Sequence, residues 1–559
     1  MNAIFTLILG AIALGVGYWI YARWIDRTVV QPDADKATPA RLYMDGVDFT
    51  PASRNVLFGY QFKSIAALGP IGGPIVAAQW GWLPALLWIL LGTFFIGWVQ
   101  DYSSAVVSVR EDGKTFGALS YQFVSPRARN ILLIFIYLYL LLIMGAFGKV
   151  IGQTFLANPP VPFGILSVIL MGLLAGQMTY RWKQDIVLTT AITVVVSFIG
   201  IWIGTLGPIQ DLFAGLNSAL GPGKDYFWPI IFAIICYLGS VLPIWRWAQP
   251  TNYVSFWIIA LGMLAGVIGM LVWNPGFGDF PVFTGWTVPG LGWLWPIMFV
   301  TIACGAISGW HSLVSSSGTS RQLEKETDAL PVCGGAMFME MALAVISLLT
   351  ATAAFDGFEG FKVAFKGGKF GVFATGLAKF MSHIGIPESF GEPYGLVFLT
   401  IMGLTICYLV VRFMRVASAE FLGDSIPIMQ NIHVGSIVAL ILSLIVIWTG
   451  VWQTIWVLFG GANQMMASLA LMIVTLWLIN SGKKYAWTFW PFIFMFITTI
   501  AALLYMGINA FQGAVGGTKV AGNIIAGVIA LVLIVCALIL GWDGWQAIRK
   551  ARAVRVAEA

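Results

Sequence analysis

The sequence predicts an all-α polytopic membrane protein of about fifteen transmembrane helices, and three observations predict it. Of its 559 residues, 59% are hydrophobic and 10% charged, with a mean hydropathy of +0.88. A soluble domain carries about 25% charged residues to cover its surface, so most of this chain must face lipid or its own interior. Apolar runs of about 20 residues, the length that spans a bilayer as a helix, recur along the whole chain. Finally, Lys and Arg alternate in density between successive loops, as the positive-inside rule requires.

Taken in order, the candidate spans are 2–25, 60–79, 82–108, 129–156, 163–181, 186–206, 226–244, 251–273, 293–320, 332–354, 394–416, 432–450, 452–480, 487–508 and 520–542. The first lacks a basic start and a small-residue cleavage site, and Arg23 and Arg27 follow it, so it reads as a retained anchor. With the N-terminus outside, the outer segments hold Lys224, Lys362, Lys366, Lys369, Lys379 and Lys519, and Lys149 lies within a span. All other Lys and Arg, including Arg23 to Lys63, Arg110 to Arg129 and Arg549 to Arg555, then fall on the cytoplasmic side. The bias keeps its sign to the end of the chain, giving an expected inner-membrane topology with the N-terminus out and the C-terminus in.

Two spans contain sequence that an uninterrupted helix avoids. One reads Gly69-Pro70-Ile71-Gly72-Gly73-Pro74; the other reads Cys304-Gly305-Ala306-Ile307-Ser308-Gly309-Trp310-His311, followed by Ser315-Ser316-Ser317-Gly318. Unwound backbone at bilayer depth is tolerated where it lines a cavity or is buried in protein. The half-helix ends it leaves suit a carboxylate or a cation. Close helix packing by small residues is the bland alternative. Two breaks on spans of opposite direction point to a transport site. Its expected substrate-binding residues are Gly69, Pro70, Gly72, Gly73, Pro74, Ser308, Gly309, His311 and Ser315.

The positions of the breaks set the expected architecture: an anchor helix and loop (1–59), a five-helix repeat (60–206), two linking helices (207–292), a second, inverted five-helix repeat (293–480), and two C-terminal helices with a short tail (481–559). This matches the five-plus-five arrangement of leucine-transporter-like proteins, with a seven-plus-seven inverted fold as competitor. The outside stretch from Phe355 to Glu392 carries an amphipathic piece near Phe373–Met381, where that fold places a gating loop.

Ionisable groups inside spans are costly and usually face a cavity or a partner. Asp101 reads as a structural pair, a solvated helix end or a functional group. Lys149 either snorkels to the headgroups or is a fixed cation. Glu340 is a proton relay or a buried hydrogen-bonding group, and His311, just after the second break, can titrate near neutrality. Asn463 and Gln464 read as interhelical glue.

Several stretches resemble the carbon-starvation protein A family, over residues 45 to 484 or so: Asp45-Gly46-Val47-Asp48-Phe49, Val56-Leu57-Phe58-Gly59, Gly69-Pro70 through Gly73-Pro74 to Gln79, Val99-Gln100-Asp101, Thr301 to Gly318, Leu458-Phe459-Gly460 and Asn463-Gln464. The resemblance implies a leucine-transporter-like inner-membrane carrier for pyruvate or small peptides. The chain departs from the family pattern at Tyr60-Gln61, where a His-His pair is usual, and at Tyr408, where an aspartate is expected ahead of Arg412 and Arg415; Thr405 is retained. A sodium ion beside the first break would draw on Thr405 and a carboxylate at 408. Its loss favours a proton as coupling ion, with sodium held by Thr405 and backbone carbonyls as the alternative, and Glu340, Asp101, Thr405, Tyr408 and Lys149 are the coupling candidates.

An enzyme is not expected, since His311, His383 and His433 lie on separate segments and make no metal cluster or nucleophile–base pair. No cofactor, metal or nucleic acid is expected as a partner. Cys236, Cys304, Cys333, Cys407 and Cys536 have no metal-like spacing and read as packing residues. The paired breaks favour alternating access over a channel, and a carrier for an amino acid or another carboxylate is the alternative reading.

Overall fold

A computed structural model describes residues 2–449 and 452–558. The expected span end at Gly450 lies outside the described residues. In lipid every backbone N–H and C=O must be satisfied within the chain, and the apolar runs accordingly fold as helices.

In chain order, α1 (Ala3–Val30) is followed by two half-helices, α2 (Arg54–Ile65) and α3 (Gly69–Ala77). Then come α4 (Trp82–Arg110), a short α5 (Phe116–Phe123), α6 (Pro126–Phe155), α7 (Val161–Arg181) and α8 (Ile186–Gly204). A linking region holds α9 (Gly207–Leu220), α10 (Lys224–Val241), α11 (Ala248–Trp273) and a small antiparallel hairpin of β1 (Thr287–Val288) and β2 (Gly292–Trp293). A second pair of half-helices, α12 (294–301) and α13 (309–319), leads to α14 (Glu326–Thr352). The chain continues with α15 (Gly357–Phe365), α16 (Lys369–Ser382), α17 (Glu388–Leu422), α18 (Ile432–Trp448), α19 (Trp452–Asn480), α20 (Ala486–Val515) and α21 (Val520–Glu558).

Twelve helical segments among the described residues are long and apolar enough to cross a membrane, and α18 is apolar but shorter. Helix starts carry local signals. Ser125 accepts from Ala128 N ahead of Pro126 in α6, Asp185 caps α8 through Val187 N and Leu188 N, and Asn431 caps α18 through His433 N and Val434 N. The link contains one helix more than the two expected: α9 has no buried residue and lies on the surface of the molecule. The amphipathic piece in the 355–392 stretch is α16, whose buried face includes Val372, Phe373, Leu377, Phe380 and Met381 and packs on α3, α11, α14 and α17.

Loop contacts sort into two sets at opposite ends of the bundle. At one end Arg110 pairs with Glu326, Arg412 with Asp48, Arg127 with Asp543 and Arg41 with Glu324, while Trp245 Nε1 donates to Gly46 O. At the other, Ala3 N donates to Pro275 O, Trp80 Nε1 to Gly292 O, Thr284 Oγ1 to Gln79 O and Phe358 N to Asp279 Oδ1. The first set joins segments expected in the cytoplasm and the second joins segments expected outside.

Cysteines introduced at exposed Gln184, in the α7–α8 turn, and exposed Gly367, between α15 and α16, are expected to react with an impermeant thiol reagent from opposite faces. Gln184→Cys should label from the cytoplasmic side. Labelling of both from one side of sealed vesicles refutes this arrangement of spans.

Candidate functional site

The two breaks lie side by side, but not where glycine and proline content placed them. Gly69–Ala77 is helical: Pro70 sits in the first turn of α3, where a missing N–H costs nothing, and Gly72 N donates to Leu68 O at 2.9 Å. The interruption is Ala66–Leu68, with Ala66 extended at φ −72° and ψ 100°. The second break runs from Ile302 to Ser308, after which α13 starts at Gly309. The helix before the first break begins at Arg54, six positions ahead of the expected span. Lys63 therefore lies inside the fold and not in a cytoplasmic loop.

Gly69, Gly72 and Gly73 keep neighbours close. A Cβ on Gly73 would lie 2.6 Å from Thr301 O, one on Gly69 2.7 Å from Cys304 Cβ, and one on Gly72 3.0 Å from Lys369 Cδ. These three line a partly open cavity of about 180 Å³ together with Trp80, Thr301 and Lys369. The Gly72 N–H is already used in the helix, so this glycine serves by leaving room rather than by binding an anion through its backbone. Pro70 and Pro74 are buried in α3 beside it. Lys369 reaches the cavity from α16, at the end of the bundle expected outside. Desolvation lowers its ammonium pKa to about 7.

Ser308, Gly309, His311 and Ser315 do not line that cavity and are buried elsewhere, around the start of α13. Gly309 faces α19: a Cβ there would lie 2.7 Å from Ala467 N. Ser315 Oγ accepts from Gln61 Nε2 at 3.0 Å, and Gln61 Oε1 accepts from Thr319 Oγ1, so one residue of the Tyr60-Gln61 departure ties α2 to α13. Ser308 Oγ donates to Asn463 Oδ1 at 3.1 Å, and the same oxygen accepts from Trp310 N at 3.1 Å and Tyr139 OH at 2.6 Å. Gln464 Nε2 donates to Phe299 O at 2.8 Å and Ile302 O at 3.3 Å. Asn463 and Gln464 are thus hydrogen-bonded across helices, as read from the sequence.

Three of the ionisable residues expected to matter meet at one point. His311 Nδ1 is 3.0 Å from Asp101 Oδ2 of α4, and His311 Nε2 is 3.1 Å from Glu340 Oε2 of α14. All three side chains are fully buried. The Glu340 contact is close but lies outside hydrogen-bond geometry, and Asp101 Oδ1 and Glu340 Oε1 have no partner in the structure. Buried polar atoms in that state are costly, and a carboxylate pair around an imidazole can hold or release a proton.

The other coupling candidates lie elsewhere. Thr405 Oγ1 donates to Ile401 O of its own helix at 2.7 Å, Tyr408 OH donates to Asn252 Oδ1, and Lys149 sits half-buried within α6, six residues before its end at Phe155. Two residues with no expected role stand at the site instead. Lys369 is one. The other is Lys63, fully buried, whose Nζ donates to Ala66 O in the first break at 3.1 Å and to Met402 O of α17 at 3.3 Å. Its position three residues before a break was the available signal, hidden because the span was begun at residue 60.

The family model for carbon starvation protein CstA matches residues 2–364 and 357–502. The chain is 28% identical to the peptide transporter CstA of Bacillus subtilis, over 97% of this chain and 96% of that protein. It is 32% identical to the pyruvate/proton symporter BtsT of Escherichia coli, over 63% of this chain and 49% of that protein. Among solved structures it is similar to MhsT in complex with L-phenylalanine, at 13% identity and a TM-score of 0.49, covering 88% of this chain and 99% of that one. At that score the likeness assigns nothing to this chain.

Gly309 and Gly72 should respond differently to a side chain. Gly309→Val presses on α19 backbone, and the expected cost is about 1–3 kcal/mol, read as a lower melting temperature in detergent. Gly72→Ala meets the flexible stem of Lys369 and should fold normally. Equal stability of Gly309→Val and the wild type refutes the packing role.

Proposed function

Because the chain belongs to the carbon starvation protein CstA family, we propose that it is a secondary active transporter that imports a small carboxylate, pyruvate foremost, or short peptides across the cytoplasmic membrane by alternating access with a proton. Membership of this family, with relatives named as transporters, makes it a membrane transporter and not an enzyme. The finer reading rests on one observation: His311, in the half-helix that follows the second break, is held between Asp101 and Glu340 from two other helices.

The proposed layout is fifteen crossings: the twelve long segments, α18, and the two broken pairs. The α2–α3 pair runs from the end where Asp48 meets Arg412 to the end where Trp80 meets Gly292. The α12–α13 pair runs the opposite way, as a five-plus-five inverted repeat of the leucine-transporter type requires.

The cavity supports a small substrate. At about 180 Å³ it falls below the roughly 300–1,000 Å³ of sites for drug-sized ligands. Its lining is largely apolar, with Lys369 as its cation, which suits a solute with one carboxylate and a short apolar remainder.

Charge balance supports a proton. Asp101, Glu340, His311 and Lys63 form one buried layer, with Cys304 and Cys407 beside it. With both carboxylates and the ammonium charged, the layer is neutral when one proton is shared between His311 and Glu340. Losing that proton leaves a net negative charge in a low-dielectric interior, which is strongly disfavoured until water reaches the site. Proton release is thereby tied to opening.

In proteoliposomes, labelled pyruvate should accumulate on an inward proton gradient, about tenfold per pH unit for one proton per substrate, and not on a sodium gradient. Glu340→Gln should exchange substrate but lose proton-driven accumulation. Full proton-driven uptake in that variant refutes the role given to Glu340.

Lys369→Gln should raise KM for pyruvate by roughly tenfold or more, the worth of one charge-assisted hydrogen bond, with little change in stability. As the ammonium is charged below pH about 7 and neutral above it, wild-type affinity measured by equilibrium binding should weaken as pH rises through that value. The variant should lack this step, and a step retained in it refutes the contact.

A further inference from the structure

Lys63 carries a fully buried amino group in the interior of a membrane protein, and its partners are backbone carbonyls. Nζ donates to Ala66 O in the unwound stretch between α2 and α3 and to Met402 O in α17. Among the described residues no carboxylate lies within ion-pair distance of it, although Glu340 and Cys407 are near enough to act on it electrostatically. Carbonyls freed by an unwound helix and facing a second helix are the donor set that binds a monovalent cation in broken-helix carriers. Such a cation needs oxygen ligands, and here the nearby hydroxyl of Thr405 is turned to Ile401 O while Tyr408 OH is turned to Asn252.

We propose that the ammonium of Lys63 is a tethered cation occupying a monovalent-cation site between the first break and α17, so that this transporter neither binds nor needs sodium there. This extends the transporter reading above and rests on it only for the site's purpose. The ammonium bridges the break to α17 as a bound ion would, yet it cannot dissociate with the substrate. It also fixes the positive charge that the Asp101–Glu340 layer needs, leaving a proton as the exchangeable cation.

The test is a sodium titration of purified protein in detergent without substrate, at constant ionic strength against choline, read as melting temperature. Wild type should show no sodium-dependent shift. Lys63→Ala vacates the position and keeps both carbonyls, so sodium should now raise its melting temperature saturably, by about 1–2 °C. Lys63→Met fills the space without a charge, so it should melt below wild type and not respond to sodium. If Lys63→Ala is not recovered folded, Lys63→Ser takes its place in the same titration. A saturable sodium response in wild type overturns the proposal, and so does a folded Lys63→Ala or Lys63→Ser that ignores sodium. Because no transport is measured, a failure of proton-driven uptake leaves this result independent, and the two readings fail separately.

Discussion

Backbone that leaves a helix inside a bilayer must be hydrogen-bonded by side chains, and the centre of this protein is organised around that requirement. Four carbonyls in and just before the second break are taken up by side chains: Phe299 by Trp88 and Gln464, Ile302 by Gln464, Gly305 by Thr93, and Ser308 by Gln100. At the first break Ala66 O accepts from Lys63, and just before it Ser64 O accepts from the Trp310 indole at 2.6 Å. A buried group left unpaired costs about 1–3 kcal/mol, so a change at any of these side chains loosens the break that it serves. The donors come from α2, α4, α13 and α19, which locks those elements into one unit.

The same requirement sets the geometry of the ionisable cluster. Gln100 holds Ser308 O and Ser312 Oγ, and this brings the next residue, Asp101, to His311 in the first turn of α13. Gly309 lets α13 lie against α19 backbone, and α14 supplies Glu340 from the far side of the ring. The end of the bundle beyond this layer is closed by charged pairs of another kind. Burial alone would raise the Asp48 carboxyl pKa, but Arg412, Arg321 and Arg415 together outweigh it and hold it below its usual value. A depressed carboxylate stays ionised at all pH values above the normal Asp range and is lost only on strong acidification. The Asp48–Arg412 clamp is therefore insensitive to the pH range in which a histidine-centred layer can exchange protons.

Much of this was legible in the sequence because lipid imposes strict rules. The long apolar spans and the amphipathic α16 follow from hydropathy, and the pairing of two breaks from the glycine, proline and serine runs in two of the spans. His311, Asp101 and Glu340 were singled out as ionisable groups inside spans, but their meeting was not legible, since they lie about 30 to 240 residues apart and on separate helices. The location of the breaks misled for a physical reason. Glycine and proline mark backbone that can approach closely or start a helix as readily as backbone that unwinds, and Gly69–Pro74 does the former. Lys63 and Lys369 were hidden because a charge counted as a loop residue for topology draws no further attention, whereas both side chains reach inward from the ends of helices.

A cation that cannot leave changes the energetics of the transport cycle. If one proton enters with a singly charged carboxylate, the moving load is electrically neutral. The membrane potential, worth about 2.3 kcal/mol per elementary charge per 100 mV, then does no work on it, and the driving force is the proton concentration ratio, about 1.4 kcal/mol per pH unit. A dissociable sodium ion in the same position would add its own charge and make import electrogenic. The proposed layer matches the neutral case: a charged Lys63 would balance one carboxylate through the cycle, and the shared proton would balance the other. Under the proposed coupling, what the protein gives up in driving force it gains in independence from external sodium, and the concentration it would sustain is set by the pH difference alone.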